Sequence, residues 1–185
     1  KMFLNLRKKY KDFVYCTLRK NKGYGGGILE GLKIAKGEYI GWTHADLQTN
    51  PYDLIKTVNY LKKDLPVFIK GKRYGRPFLD VTFTIGMSLF TSLILSRFFW
   101  DINAQPTIFP KSFLKKWENP PSDFSLDLYA YYLAKKFNFN IKRIPVFFGL
   151  RKFGTSSWNY DWASKKKFIL RTIKFTIDLK KTLSK

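Results

Sequence analysis

The chain has 185 residues, enough to bury a full core as one domain with a tail, and its 45% hydrophobic and 18% aromatic content excludes a disordered polymer. A net charge of +22, from 35 basic against 13 acidic residues, attracts phosphate on nucleic acid, anionic lipid or a nucleotide. Compositional drift in a lysine-rich proteome is the plainer source of the same excess. Cys16 stands alone, which excludes a disulfide framework or a zinc knuckle and implies a reducing compartment.

The chain opens on Lys1 inside what reads as an element, so a preceding amino-terminal part is expected. Residues 12–17 (DFVYCT) fit a strand. Residues 21–27 (NKGYGGG) read as a glycine-rich loop, followed by a helix over 28–36 with Gly37 just beyond its end. In residues 38–51, Tyr39, Ile40 and Trp42 form a short strand that delivers His44, Asp46 and Gln48 to its carboxyl end. Asn50 caps the next helix and Pro51 takes its first position. That helix covers 52–63, with Leu54, Ile55, Val58 and Leu61 inward. A strand at 67–70 runs into a basic loop at 71–77 (GKRYGRP).

Residues 81–96 carry no formal charge, and these 16 residues fall short of the roughly 20 that span a bilayer as a helix. Thr84, Ser88, Ser92 and Ser96 recur every fourth residue as a hydroxyl seam. Phe98, Phe99 and Trp100 follow as an aromatic collar, which favours membrane contact over a plain core helix. A helix near 125–137 and a strand over 141–148 come next, then a loop at 151–158. The alternation of strand and helix argues a mostly parallel α/β sheet. Residues 165–181 are amphipathic: Lys167, Arg171, Lys174, Asp178 and Lys181 share one face of a helix. This helix either lies on an anionic membrane, apolar side down, or docks on the domain core.

Polar residues at the tip of a buried strand in an α/β protein commonly face a ligand. A carboxylate beside an imidazole suits a divalent cation carrying phosphates, while the plainer alternative is a turn whose Asp46 caps the next helix. The glycine-rich segment is neither a Walker A loop nor a dinucleotide fingerprint, since no Lys-Ser/Thr follows and Ile28 stands where a third glycine would be. Its backbone N–H groups, at Gly23 and Gly25, stand at a helix amino terminus where a phosphate could sit. A turn that needs positive φ explains the glycines equally well.

Taken together, Asn21-x-Gly23, Gly31, Ala35-x-Gly37-Glu38-Tyr39-Ile40, His44-Ala45-Asp46-Leu47-Gln48 and Pro51 resemble the family 2 glycosyltransferases. Gly71-Lys72-Arg73, the Asp101 segment, Pro145-Val146 and Arg151-x-x-Gly154-x-Ser156 are similar to the later landmarks of the polyprenyl-phosphate branch, typified by dolichol-phosphate mannose synthase. The resemblance implies a Rossmann-like GT-A sandwich that binds a nucleotide-sugar donor with a divalent metal, Mg2+ or Mn2+. It makes Asp46 the metal and diphosphate residue, with His44 and Gln48 beside it. Arg73 and Arg76 would hold an anionic acceptor phosphate, and Arg151 would lie near the diphosphate on a loop carrying Ser156 and Ser157. For a hydroxyl acceptor Asp127 is the candidate base; a helix-start carboxylate favoured by the dipole is the alternative.

Three departures from the family pattern stand out. His44, a softer and neutral ligand, replaces the first acidic residue of the usual Asp-x-Asp. The family's first strand and the acidic residue of its second have no counterpart. Thr84 stands where the branch often has arginine. The expected organisation is a partial glycosyltransferase domain over residues 1–164 and a basic amphipathic helix over 165–185. The expected activity is inverting, metal-assisted sugar transfer to a polyprenyl phosphate or glycan acceptor at an anionic membrane surface, on the cytoplasmic side. A non-catalytic membrane protein of the same fold is the alternative. No nucleic acid partner is expected, because the aromatics lie within apolar runs rather than interleaved with basic residues.

Overall fold

The computed structural model describes residues 2–46, 48–61, 66–149 and 162–183. Its centre is a four-stranded sheet of β1 (Tyr39–Trp42), β2 (Val67–Tyr74), β3 (Thr107–Pro110) and β4 (Asn140–Phe147), in the order β1-β3-β2-β4. β2 and β4 pair in parallel from Val67 opposite Asn140 to Tyr74 opposite Phe147. β3 is antiparallel to both β1 and β2. β1, β2 and β4 therefore point one way and β3 alone runs against them. The α/β architecture is the expected one; its two antiparallel pairings come from the single reversed strand β3.

β2 explains why the sheet is central. Val67 and Ile69 point to one face, Phe68 and Lys70 to the other, and all four are buried. The Phe68 face carries the main core, closed by α2 (Gly23–Ile34) and α5 (Ser125–Lys136) through Leu32, Leu126, Tyr129 and Tyr131. Phe68 stacks on Phe109 with centroids 5.9 Å apart and on Tyr131 at 6.1 Å. The opposite face holds a smaller cluster of Val67, Ile69, Ile108, Ile144 and Val146, with Leu54 and Leu61 against it. Residues 71–74, expected as loop, continue β2 because the parallel ladder to β4 runs on to Tyr74.

Three local expectations differ. Residues 12–17 form no strand: among the described residues no strand pairs with them, Val14 is exposed, and Phe13 and Tyr15 stack on Phe3 of α1 (Met2–Lys9) instead. The helix after Pro51 is only α3 (Asp53–Thr57), followed by a 3-10 turn at Val58–Tyr60, and Ile55 and Val58 face solvent. The glycine-rich loop is already helical from Gly23 onward.

α4 (Phe78–Ile94) turns Thr84, Ser88 and Ser92 of the hydroxyl seam inward, while Ser96 lies beyond its end and is exposed. Thr84, Ser88 and Thr91 are buried, while Ser92 Oγ accepts the Phe99 N–H at 2.8 Å and donates to the Ser88 carbonyl. Its other side presents Phe78, Leu79, Ile85, Leu89 and Leu93 to solvent. α6 (Trp162–Leu183) lies beside α4 and runs the same way, since Phe83 meets Phe168 at 6.2 Å and Ser96 lies 3.5 Å from Lys180 Nζ. Phe168 and Thr176 are buried, and Phe175 and Leu179 pack on the main core. Part of the apolar side of α6 is thus seated on the protein, as the docking alternative expects, while Leu170 and Ile177 stay exposed. Lys166, Lys167, Lys174 and Lys181 remain exposed. Among the described residues no helix is long and apolar enough to cross a membrane.

Candidate active site

β1 ends at Trp42, and the chain turns at once through Thr43, His44, Ala45 and Asp46 at the carboxyl edge of the sheet. The turn is closed locally: the Gln48 N–H donates to Asp46 Oδ1 at 3.2 Å, the pattern of an Asx turn. It is also tied across to the end of β4. Gln48 Nε2 donates to the Gly149 carbonyl at 3.2 Å, and the Gly149 N–H returns a bond to the Gln48 carbonyl at 3.0 Å. His44 packs edge-on to Phe148 at 5.4 Å. Burial holds its imidazole below the usual histidine range, against the opposing pull of the Asp46 charge, so the ring is neutral at pH 7. His44 Nε2 is buried and has no hydrogen-bond partner among the described residues.

The end of β2 supplies two guanidinium groups. Arg73 is clamped by Asp101, which accepts the Arg73 backbone N–H at 2.8 Å on one oxygen and Nε at 2.9 Å, with Nη2, on the other. Asp101 sits at φ 46°, a left-handed conformation that costs a non-glycine residue energy and marks positions held for a purpose. Burial alone would raise the Asp101 carboxyl, but the charge and hydrogen bonds of Arg73, with Arg76 behind them, hold it below the usual carboxylate range. Arg76 reaches Asp101 at 3.8 Å and donates from Nη1 to Thr84 Oγ1 at 2.9 Å. Its Nε is buried with no hydrogen-bond partner among the described residues.

These groups face one cavity of about 590 Å³. His44, Asp46, Gln48, Arg73 and Arg76 line it. Phe83 and Met87 of α4, Leu128 of α5, and Phe168 of α6 add apolar lining, and Phe148 lies against His44 and under the Arg73 guanidinium at 5.2 Å.

The other expected site residues lie elsewhere. Gly23, at φ +76°, and Gly25 do not line the cavity; a Cβ on Gly25 would stand 2.6 Å from the Asp123 carbonyl oxygen and 2.7 Å from that of Pro121. The Gly26 N–H donates to the Ser122 carbonyl at 2.9 Å, so the glycines let α2 press against the loop before α5 instead of cradling a phosphate. Asp127 is fully buried and does not line the cavity. Lys70 Nζ donates to its Oδ1 at 3.2 Å and Tyr24 Oη to its Oδ2 at 2.7 Å, so it has no direct reach to an acceptor proton. Arg151 and Ser156 lie outside the described residues.

Two participants went unread in the sequence: Tyr24, which lines the cavity, and Lys70, which has no exposed surface. A lone lysine inside the apolar run of β2 was the available signal for the second.

Among the described residues no group of three or more His, Cys, Asp or Glu side chains could hold an ion by itself. The Asp46 carboxylate, the unpartnered His44 nitrogen and the Gln48 amide fit a divalent cation that fills the rest of its shell from the bound ligand's own oxygens.

The family model described as glycosyl transferase family 2 matches residues 1–106, more than half of the chain, including β1, its polar tip and both arginines. No curated protein matches the chain. The chain belongs to glycosyl transferase family 2 and is a glycosyltransferase, taking a nucleotide-sugar donor and an acceptor as its substrates.

Proposed function

We propose that this glycosyltransferase is inverting and metal-assisted, and that it passes a sugar to a polyprenyl phosphate, with a glycan as the alternative acceptor, at the cytoplasmic face of an anionic membrane. This places it in the polyprenyl-phosphate branch of the family. The observation that carries the reading is the cavity itself, lined by a carboxylate, an imidazole and two guanidinium groups together with several apolar side chains.

Asp46, with His44 and Gln48 beside it, would hold the cation, Mg2+ or Mn2+, which when bound supplies positive charge against the donor diphosphate. Arg73 spends much of its hydrogen-bonding capacity on Asp101, whereas Arg76 keeps Nε unpartnered and is the better placed to take an acceptor phosphate. Thr84 stands where the branch often has arginine, and Arg76 brings a guanidinium to that same point through its bond to Thr84. The acceptor oxygen forms its bond to the anomeric carbon from the side opposite the diphosphate, whose bond to that carbon breaks; configuration inverts. Positioning and charge neutralisation do most of the work.

A phosphate acceptor is already an anion and needs no base, which agrees with Asp127 being sealed in the core. A glycan acceptor would need a base, and among the described residues Asp80 is the carboxylate besides Asp46 that lines the cavity. The membrane partner is supported by the apolar row of α4, with Phe78, Leu79 and Leu93 each more than three-quarters exposed, beside the exposed lysines of α6.

The test is release of nucleoside diphosphate from UDP-glucose, UDP-N-acetylglucosamine and GDP-mannose, each with MnCl2 and undecaprenyl phosphate. Turnover of one donor that depends on both additions is expected. Asp46→Ala should lower it at least about a hundredfold with the unfolding temperature unchanged. Full turnover by that variant would overturn the assignment of Asp46.

A further inference from the structure

The hydroxyl seam of α4 has a use beyond packing, because each of its inward members holds a different part of the structure around Arg73 and Arg76. Thr84 Oγ1 accepts from Arg76 Nη1 at 2.9 Å. One turn on, Ser88 Oγ accepts the Asp101 N–H at 3.2 Å. A further turn on, Ser92 Oγ accepts the Phe99 N–H at 2.8 Å. Side chains four residues apart are neighbours on one helix face, so the seam is a rail along which residues 99–101 are laid.

The carbonyls of the same turn are gripped by another element. Arg143 of β4 stands opposite Lys70 in the parallel ladder. It donates through Nη1 to the Trp100 carbonyl, and through Nη2 to the carbonyls of Gly71 and, at 3.4 Å, Asp101. The Tyr131 hydroxyl accepts from the same Nη1 at 3.3 Å. Among the described residues the hydrogen bonds of this guanidinium all go to neutral oxygens, most of them main-chain carbonyls.

Asp101 is what these bonds fix. It is buried at φ 46°, a conformation that a non-glycine residue keeps only where its surroundings hold it. Its N–H is tied to α4, and its carbonyl to Arg143 and to the Ala104 N–H at 3.1 Å. The backbone cannot turn without breaking those bonds, and the carboxylate is therefore committed to the arginines. Oδ2 accepts the Arg73 backbone N–H, Oδ1 accepts Arg73 Nε, and Oδ1 lies 3.8 Å from Arg76 Nη2. Both arginines line the cavity, so a shift of the turn carries both guanidinium groups with it.

We propose that Ser88 and Arg143 are positioning residues for the acceptor phosphate: they fix the backbone of Asp101 and, through its carboxylate, the places of Arg73 and Arg76. This rests on the reading that gives those arginines the acceptor phosphate. Ser88 also borders the cavity, so the test separates action through Asp101 from direct contact with a ligand.

The experiment uses whichever of UDP-glucose, UDP-N-acetylglucosamine or GDP-mannose the full chain turns over. Undecaprenyl phosphate is varied at saturating donor, and the donor at saturating undecaprenyl phosphate. Ser88→Ala and Arg143→Lys should each raise KM for undecaprenyl phosphate about tenfold and leave KM for the donor within about twofold. Arg143→Met should raise it further, since the ammonium of lysine still reaches part of the carbonyl set. Asp101→Ala should raise the same KM at least as far, and Ser88→Ala added to it should change nothing more, because the two act as one unit. If Asp101→Ala loses its cooperative unfolding transition, the single variants decide the matter. Equal rises in both KM values for Ser88→Ala and Arg143→Lys would mean a general structural role and overturn the proposal. Additive losses in the Asp101→Ala background, or an unchanged KM in Asp101→Ala itself, would also overturn it. Those outcomes leave the acceptor-site reading standing as long as Arg76→Ala raises KM for undecaprenyl phosphate. An unchanged KM in Arg76→Ala, or a wild type with no turnover on undecaprenyl phosphate, would remove that reading and this inference with it.

Discussion

His44 stands at the tip of β1 where the family pattern has an acidic residue, and its neutrality has a thermodynamic consequence. Its folded pKa lies below the unfolded value because burial penalises the imidazolium. Between those two values the unfolded chain binds more protons, so stability falls as pH drops through about 6.5. Thermal unfolding of the wild type should therefore weaken more steeply from pH 7 to pH 5 than that of His44→Gln; parallel curves would show that the ring is not held neutral. At this scale the sequence was readable where partners are neighbours in the chain. His44, Asp46 and Gln48 are grouped by one strand end and one turn, and all three line one cavity. Asp127 was not readable in the same way. Its partners Lys70 and Tyr24 lie 57 and 103 residues away in sequence, and a carboxylate in the first turn of a helix looks the same from sequence whether it faces a ligand or an ion pair.

Element by element, the long pieces with a clear period are where the pattern places them. α4, α5 and β4 fall within a few residues of their expected bounds, and α6 begins slightly earlier. The short pieces depend on neighbours that a local pattern cannot see. Residues 12–17 have the composition of a strand but no edge to pair with, and α3 stops before its period can bury Ile55 and Val58. The glycine run was the most misleading element, because a helix start packed on backbone and a phosphate-binding loop both ask for residues without side chains. Gly25→Ala separates the two. Its Cβ would meet three backbone atoms of residues 121–123 within 2.7 Å, so the variant should lose about 1–3 kcal/mol of unfolding free energy in urea titration. A variant as stable as the wild type would show that α2 can back away from that loop without cost.

For the molecule as a whole, the charge of +22 is attached to a particular relief. The outward row of α4 runs about 25 Å, and parallel to it α6 shows Lys166, Lys167, Lys174 and Lys181. Such a pairing should bind phosphatidylglycerol vesicles well above phosphatidylcholine ones in co-sedimentation, with the difference shrinking as salt rises. Leu89→Glu/Leu93→Glu should reduce that binding at least about tenfold; unchanged binding would place the contact elsewhere. The sequence showed the apolar stretch and the basic helix but not that they lie side by side, which is settled by the contact of Phe83 with Phe168. That contact reaches further than the helices. The family match ends at residue 106, yet Phe124, Leu128, Phe148, Phe168 and Thr172 all border the cavity from beyond it. The matched stretch and the chain beyond it thus close one cavity together, Phe83 and Met87 lining it from the first and Leu128 and Phe168 from the second, so a substitution in the later stretch alters the same space that holds Asp46 and both arginines.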